Sequence, residues 1–504
     1  MLSELSSGLR NSRAILSESH AVVRQVPSFW LPIIIAGFLL GADALAARSA
    51  LAQAPGGFLE QSNARSVRPL LSASKIQALL PARGLFTFPA PYLTRGLRIT
   101  NATDCARGAD CVQYGSYSYW RNINNHVGSD TMLIVLTLNK NRGGVGPTLF
   151  SYNKVTDQVT KVGPLFTAAS RLSWASGEGW YFSATRPTTL YLNDSMGTRL
   201  LRYDVLAKTF KTVFDVSIRP DLFGAKRYIW QMHSSFDDGV HSATLRATDT
   251  YAPLGCLVYR EDTATFSYFS RIGTAEDFDE CQIDASGRWL LIKENVDAKY
   301  SVDNRIIDLA SGNAETILLD QNGAGGHSDN GFGYMVTADN WDSHPSAFKL
   351  WKFGTKPLQG ALVLFGKDWN AGPDHISHLN ARADVARESQ YVCGSTATRT
   401  TTSSRANEVI CFPLDGSQRV LIVAPVMTDL NASGGGDDYG KAPKGNLDIT
   451  GQYFIWTSNM GGNRLDAFIV KVPGQLLTAP AQTQPGAADT TSPLRPVMAP
   501  PRRE

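Results

Sequence analysis

The sequence has no excess of charge of either sign, no paired-cysteine motif and almost no helical periodicity. Each absence removes a class of protein. The 48 Lys and Arg nearly cancel the 45 Asp and Glu, leaving a formal net charge of +3. The basic residues are scattered, so a nucleic-acid groove is not indicated. No Cys-x-x-Cys pair occurs among the six cysteines, which argues against a structural zinc site. There is no Gly-x-Ser-x-Gly elbow and no downstream Ser/Asp/His domain, which argues against hydrolysis through an activated serine. A phosphate-cradling P-loop is absent as well. After residue 42 no segment is apolar enough to predict a membrane-spanning helix.

What is present begins with an export signal. Arg10, Arg13 and Arg24 precede the apolar run WLPIIIAGFLLGA (30–42), which leads into ALAARSALAQA (44–54). A basic start, a short apolar stretch and small residues at Ala-x-Ala spacing predict a signal peptide over 1–52, cut after Ala52, with Ala46 or Ala54 as alternative sites. An uncleaved anchor is the competing reading, but the apolar run is shorter than a spanning helix needs. The mature chain is expected to be secreted or periplasmic and monomeric, with no membrane span. The cysteines fit that compartment: Cys105, Cys111, Cys256, Cys281, Cys393 and Cys411 fall into three neighbouring couples. Six cysteines allow fifteen connectivities; the expected ones are 105–111, 256–281 and 393–411.

The region from about 120 to 473 repeats one pattern. A short polar strand ends in a turn, and an apolar strand and two more follow. The units open at NNHVGSD (124–130), RLSWASGEG (171–179), QMHSSFDDG (231–239), CQIDASG (281–287), GHSDNGFG (326–333), HISHLNA (375–381) and GNLDITG (445–451). With His126, Ser173, His233, Gln282, His327, His378 and Asn446 as markers, the steps run from 45 to 68 residues. Such spacing suits four-stranded units with variable loops. Second strands such as TMLIVLTLN, WLLIKENV and QYFIWTSN are β-branched or aromatic runs bounded by turn residues. The fold class is therefore expected to be all-β, a seven-bladed β-propeller of four-stranded blades. A pair of β-sandwiches, or six or eight blades, competes with it.

The last unit lacks a fourth strand, because after LDAFIVKVP (465–473) the chain becomes a Pro/Ala/Thr tail over 474–504, expected to be disordered. The segment GLFTFPAPYLTRGLRITNA (84–102) has β character and is expected to supply that strand and close the ring, removing an exposed edge. The expected organisation is thus signal peptide 1–52, N-terminal extension 53–83, propeller 84–473 and tail. DITGQYFIWTSNMGGNRLDAF (448–468) resembles the repeat of TolB-like (WD40-like) periplasmic propellers, with its Asp-x-x-Gly turn, Thr-Ser-Asn strand end and Asp after a glycine turn. That resemblance implies the fold and leaves function open, since such repeats occur in enzymes and scaffolds alike.

The first strand of a propeller blade lines the central channel. His126, His233, His327 and His378 stand at one roughly equivalent slot, Gln282 and Asn446 fill it in two other units, and His375 lies within reach. The whole chain has only eight histidines, so this clustering predicts a metal or acid–base centre at the channel mouth. The metal set is His233, Gln282, His327, His375 and His378, for a divalent ion (Ca, Mn or Zn). The competing reading is a water-filled channel whose histidines bond to backbone carbonyls, and for His126 that reading is preferred. His241 and His344 are expected to be structural or exposed.

Two further segments could complete a site. The connection MTDLNASGGGDDYGKAPKGN (427–446) carries Asp437, Asp438, Tyr439 and Lys441. It is expected either to cover a substrate, with its two carboxylates able to hold Ca²⁺, or to be a plain solvated loop. GKDWNAGPDHISHLNAR (366–382) adds Asp374 and Arg382, and Trp341 and Trp369 offer flat faces to a sugar ring.

A propeller with inner-strand histidines is similar to the secreted oligogalacturonate and ulvan lyase propellers, which cleave uronate-containing polysaccharides by β-elimination. The resemblance implies a base for the C5 proton, a cation for the carboxylate and an acid for the leaving oxygen, often with a bound metal. Candidates here are His233 or His327 as base, Tyr334 or Tyr439 as acid, Arg382 or Lys441 as the cation, and Trp341 and Trp369 as sugar contacts. The clustered Gln and His metal motif of those lyases is not reproduced residue for residue. The expected partner is an anionic polysaccharide. The alternative is a non-catalytic propeller binding a glycan or an envelope protein.

Overall fold

The structure, a computed structural model, describes residues 56–64, 66–113, 117–170, 172, 179–299, 301–338, 347–356, 358, 360–365, 375–399 and 405–478. The expected signal peptide, the tail beyond residue 478, Ser173, Trp341, His344, Trp369 and Asp374 lie outside the described residues.

Seven antiparallel sheets follow one another along the chain as the seven blades of a β-propeller. The first contains Ile123–Asn124, Thr131–Leu138, Gly146–Asn153 and Gln158–Pro164. The last begins with Asn446–Leu447, Tyr453–Ser458 and Asp466–Lys471. The strand gradient explains itself. A second strand is sandwiched between neighbouring blades, so Trp289–Glu294 and Tyr453–Ser458 are buried at every position. An outermost strand has one wet face, and Gln158–Pro164 alternates exposed with half-buried residues.

Closure of the ring follows the expectation from residues 84–102. Arg95–Arg98 pairs antiparallel with Asp466–Lys471, placing Gly96 opposite Val470, Leu97 opposite Ile469 and Arg98 opposite Phe468. Gly96 is needed there, because a Cβ at this position would meet the Phe86 ring at 2.5 Å. Arg98 Nη2 donates to Asp466 at 2.6 Å, and Thr100 adds a second bond to the same carboxylate at 2.8 Å. The extension goes further than expected. Gly84–Thr87 forms a fifth strand outside Arg95–Arg98, and Phe58–Gln61 forms a fifth strand on blade six. Tyr92 and Arg68 both bond Glu408 at 2.6 Å, tying this strap to blade six.

All three expected disulfides are present: Cys105–Cys111, Cys256–Cys281 and Cys393–Cys411. The last joins directly opposite residues of adjacent strands, and Cys256–Cys281 links the third strand of blade three to the inner strand of blade four. Three disulfides are the chemistry of an oxidising compartment. Among the described residues no helix is long and apolar enough to cross a membrane.

One unit boundary differs from the sequence reading. The inner strand of blade two is Tyr181–Phe182, later than the RLSWASGEG opening marked by Ser173. The chain offers no polar marker at Tyr181, so the unit step gave no warning of the shift.

Candidate functional site

Strand pairing fixes which inner-strand residues share a level. In every blade one inner residue lies opposite the third position of the second strand: Asn124, Tyr181, His233, Gln282, Asp329, Ser377 and Asn446. A second level lies two residues earlier and so on the same face; it includes Glu280, His327, His375 and Lys444. The seven sequence markers therefore do not form one ring. His233, Gln282 and Asn446 belong to the first level. His327 belongs to the second and precedes its inner strand, Ser328–Asn330. His378 falls one residue past Ser377, and a single-residue step turns a side chain to the opposite face.

That step decides the fate of His378. Its Nε2 is 2.7 Å from the Tyr334 hydroxyl and its Nδ1 is 3.1 Å from Tyr391 O. Tyr334 is buried in the same contact and also reaches Gln390. Burial lowers the His378 imidazole to about 4, so it is a neutral strut between blades. The pair named as metal ligand and acid is thus committed to packing. His241 likewise bridges Ser234 and Glu261 on a second strand. His126 contacts Asn124 Oδ1 at 2.6 Å beyond the end of its inner strand.

The channel itself is threaded by a segment the sequence reading passed over. Tyr117 lies with its ring centroid 6.1 Å from that of His327 and 5.3 Å from that of His375. Tyr119 sits 5.7 Å from His233, and the Arg121 guanidinium lies 5.6 Å from the Tyr181 ring. Aromatic spacing in SYSYWR (116–121), just ahead of the first inner strand, was the available signal.

At the mouth where the inner strands begin, hereafter the near mouth, His327 and His375 have ring centroids 4.3 Å apart. The Tyr117 hydroxyl meets the exposed Tyr439 hydroxyl, and Lys444 Nζ lies 3.7 Å from the Tyr439 ring centroid while bonding its carbonyl. His375 is buried, and neither ring nitrogen has a hydrogen-bond partner among the described residues. Burial, then the charges of His327, Lys444 and Lys293, hold its imidazole well below the usual range. It therefore presents an uncharged ring with lone-pair capacity at neutral pH.

Deeper in, Glu280 and Lys293 are fully buried, with Lys293 Nζ donating to Glu280 Oε1 at 2.8 Å. An irregular register between Phe278 and Cys281 leaves Glu280 unpaired along its strand, the re-aiming that bulges produce. Gln282 Nε2 donates to the same oxygen at 2.8 Å, and His233 Nε2 approaches Glu280 Oε2 at 3.4 Å. Burial raises the Glu280 carboxyl, but Lys293 and His233 outweigh it and hold the group below its usual range. Burial also lowers His233 and, with Glu280, raises Tyr119. Lys293, the one cation inside the apolar run WLLIKE, was the sequence signal for this pair.

The remaining candidates stand apart. Arg382 is exposed and pairs with its neighbour Asp384. Lys441 is buried and donates to Leu430 O at 2.9 Å. Asp437 caps the short helix Asp438–Lys441 through Gly440 N, and Asp438 pairs with Arg399. Among the described residues, no three His, Cys, Asp or Glu side chains are grouped so as to hold a metal ion. Gln282 is engaged by Glu280 and Asn330, and Lys444 and Lys293 bring positive charge toward the His375 imidazole. This donor set does not fit a resident divalent cation.

No protein-family model matches the chain, and no curated protein matches it. Among solved structures, an oligogalacturonate lyase from Vibrio parahaemolyticus is similar at 9% identity and a TM-score of 0.52, over 81% of this chain and 98% of that one. An oligogalacturonate lyase in complex with manganese matches at 10% identity and a TM-score of 0.53, over 82% and 99%. At such identity the likeness establishes the shared propeller architecture and nothing finer.

Proposed function

We propose that the protein is an exported uronate-polysaccharide lyase whose near mouth carries the chemistry. The carrying observation is the neutral, unpartnered His375 beside His327, facing the Tyr117–Tyr439 hydroxyl pair. β-Elimination needs a base for the C5 proton, positive charge near the carboxylate, and an acid for the departing oxygen. His327, less buried than His375, takes the C5 proton. The electron pair forms the C4–C5 double bond, the C4–O bond breaks, and Tyr439 protonates the leaving oxygen. Lys444 supplies the positive field in place of Lys441 and Arg382, and the His375 ring packs against His327. No metal takes part in this scheme.

The test is an absorbance assay for unsaturated uronate, run on a panel of anionic polysaccharides with and without added divalent cation. Product formation that falls by roughly 10²–10⁴ in His327→Ala supports the lyase reading. No cleavage of any anionic glycan overturns it. The second reading, a glycan-binding propeller without turnover, draws on the burial of His375 and Lys444. It is favoured if those glycans bind but stay intact.

A further inference from the structure

Arg121 is a buried cation for which the near-mouth chemistry has no use. Only 8% of it is exposed, and arginines so enclosed are ordinarily paired with an acid. Its Nε donates to Phe182 O at 2.6 Å, and the ring of Tyr181 lies against its guanidinium. Those two contacts fix the plane of the fork, while its terminal nitrogens donate to no described residue. The nearest acids act on it through space and accept no hydrogen bond from it among the described residues. Asp238 Oδ2 accepts from Ser183 and Thr185, both at 2.6 Å, and its Oδ1 has no partner among the described residues. Asp329 accepts the backbone N–H groups of His378 and Asn330.

The guanidinium borders a pocket at the opposite mouth, where the inner strands turn back, shared with Tyr181, His233, Gln282, Asn330 and Asp329. Asn330 Oδ1, an acceptor suited to a ligand hydroxyl rather than to the carboxylate, has no hydrogen-bond partner among the described residues. The cavity volume is about 40 Å³, against the ~10–15 Å³ that one water requires. That is room for a three-atom carboxylate, with the rest of its molecule in the open mouth. Asp238 and Asp329 nearby favour a monoanion over a phosphate dianion. We infer that this far mouth is a carboxylate-binding pocket, in which the Arg121 fork grips the acid group of a small organic or sugar acid. The inference stands whether or not the near mouth cleaves glycans.

The experiment is calorimetric titration of the full-length protein with sodium galacturonate, and with galactose, acetate and chloride for comparison. Galacturonate and acetate should bind and galactose should not. Arg121→Gln should weaken galacturonate binding roughly tenfold or more, as expected for loss of a charged hydrogen bond. Arg121→Lys should weaken it less, since it keeps the charge and loses the fork. If Arg121→Gln does not fold, as judged by circular dichroism, the Arg121→Lys comparison decides. Unchanged affinity in the folded Arg121 variants overturns the inference, as does equal binding of galactose. Displacement by chloride at equal affinity leaves an adventitious anion pocket and also overturns it. Binding lost in His327→Ala but kept in Arg121→Gln would assign the ligand to the near mouth instead.

Discussion

Blade six carries two histidines three residues apart, and they live in different worlds. His375 begins the inner strand and faces the channel with neither ring nitrogen hydrogen-bonded to a described residue. His378 follows the same strand, faces the neighbouring blades and is bonded at both nitrogens by Tyr334 and Tyr391. Both are buried and both are neutral, so neither burial nor titration separates function from packing. What separates them is whether the surrounding protein uses the lone pairs. Bonded groups are where stability should be found, and unbonded ones are where chemistry has room.

The sharpest way to break that contrast is to disturb the most enclosed bonded pair. Lys293→Ala leaves Glu280 as an unpaired buried carboxylate and should cost about 3–5 kcal/mol, read as a fall in the urea midpoint. A second change, Glu280→Gln, should recover part of that loss. Midpoints unchanged by Lys293→Ala would show that the pair does not hold the blade.

Next comes the histidine comparison itself. His378→Ala removes the partner of the Tyr334 hydroxyl and should cost about 1–3 kcal/mol. His375→Ala removes no hydrogen bond and should cost less than about 1 kcal/mol, while lowering glycan cleavage. Equal destabilisation by the two variants would dissolve the distinction between the faces.

A pH measurement tests another bonded group, Asp329, from a different direction. Burial raises the Asp329 carboxyl to about 7, above its value of about 3.9 in an unfolded chain. Between those values the folded state binds the extra proton, so this group's contribution to stability falls as pH rises from about 4 to about 7. Asp329→Asn should therefore gain on the wild type across that window and hold a constant advantage above it. A difference between the two proteins that does not change with pH would contradict the burial argument. The smallest effect is expected at Arg382, whose only described side-chain ion partner is the exposed Asp384. Arg382→Ala should shift stability by no more than about 0.5 kcal/mol and leave glycan cleavage unchanged.

Much of the architecture was legible because its signals are local. Apolar runs bounded by turn residues marked the second strands, and the missing fourth strand of the last blade pointed to residues 84–102. Neighbouring cysteines marked the disulfides. The Asp-x-x-Gly turn of the last unit does what its composition implies, since Asp448 accepts the backbone N–H groups of Thr450 and Tyr453. Blade two was less legible because its inner strand, Tyr181–Phe182, carries no polar marker.

The candidate site was legible only in part. Sequence alone directed attention to inner-strand histidines and to Tyr439, and His327 and His375 do meet at the near mouth. It could not tell His375 from His378, because facing alternates with every residue and bulges shift the count. Nor could it join Tyr117 to His375, Glu280 to His233, or Arg121 to Tyr181, which lie far apart in the chain. Those contacts exist because seven inner strands converge on one axis and the segment ahead of the first strand runs down it. Composition and periodicity determined the blades. Register and closure of the ring decided which side chains share the channel, since both are set by long-range pairing.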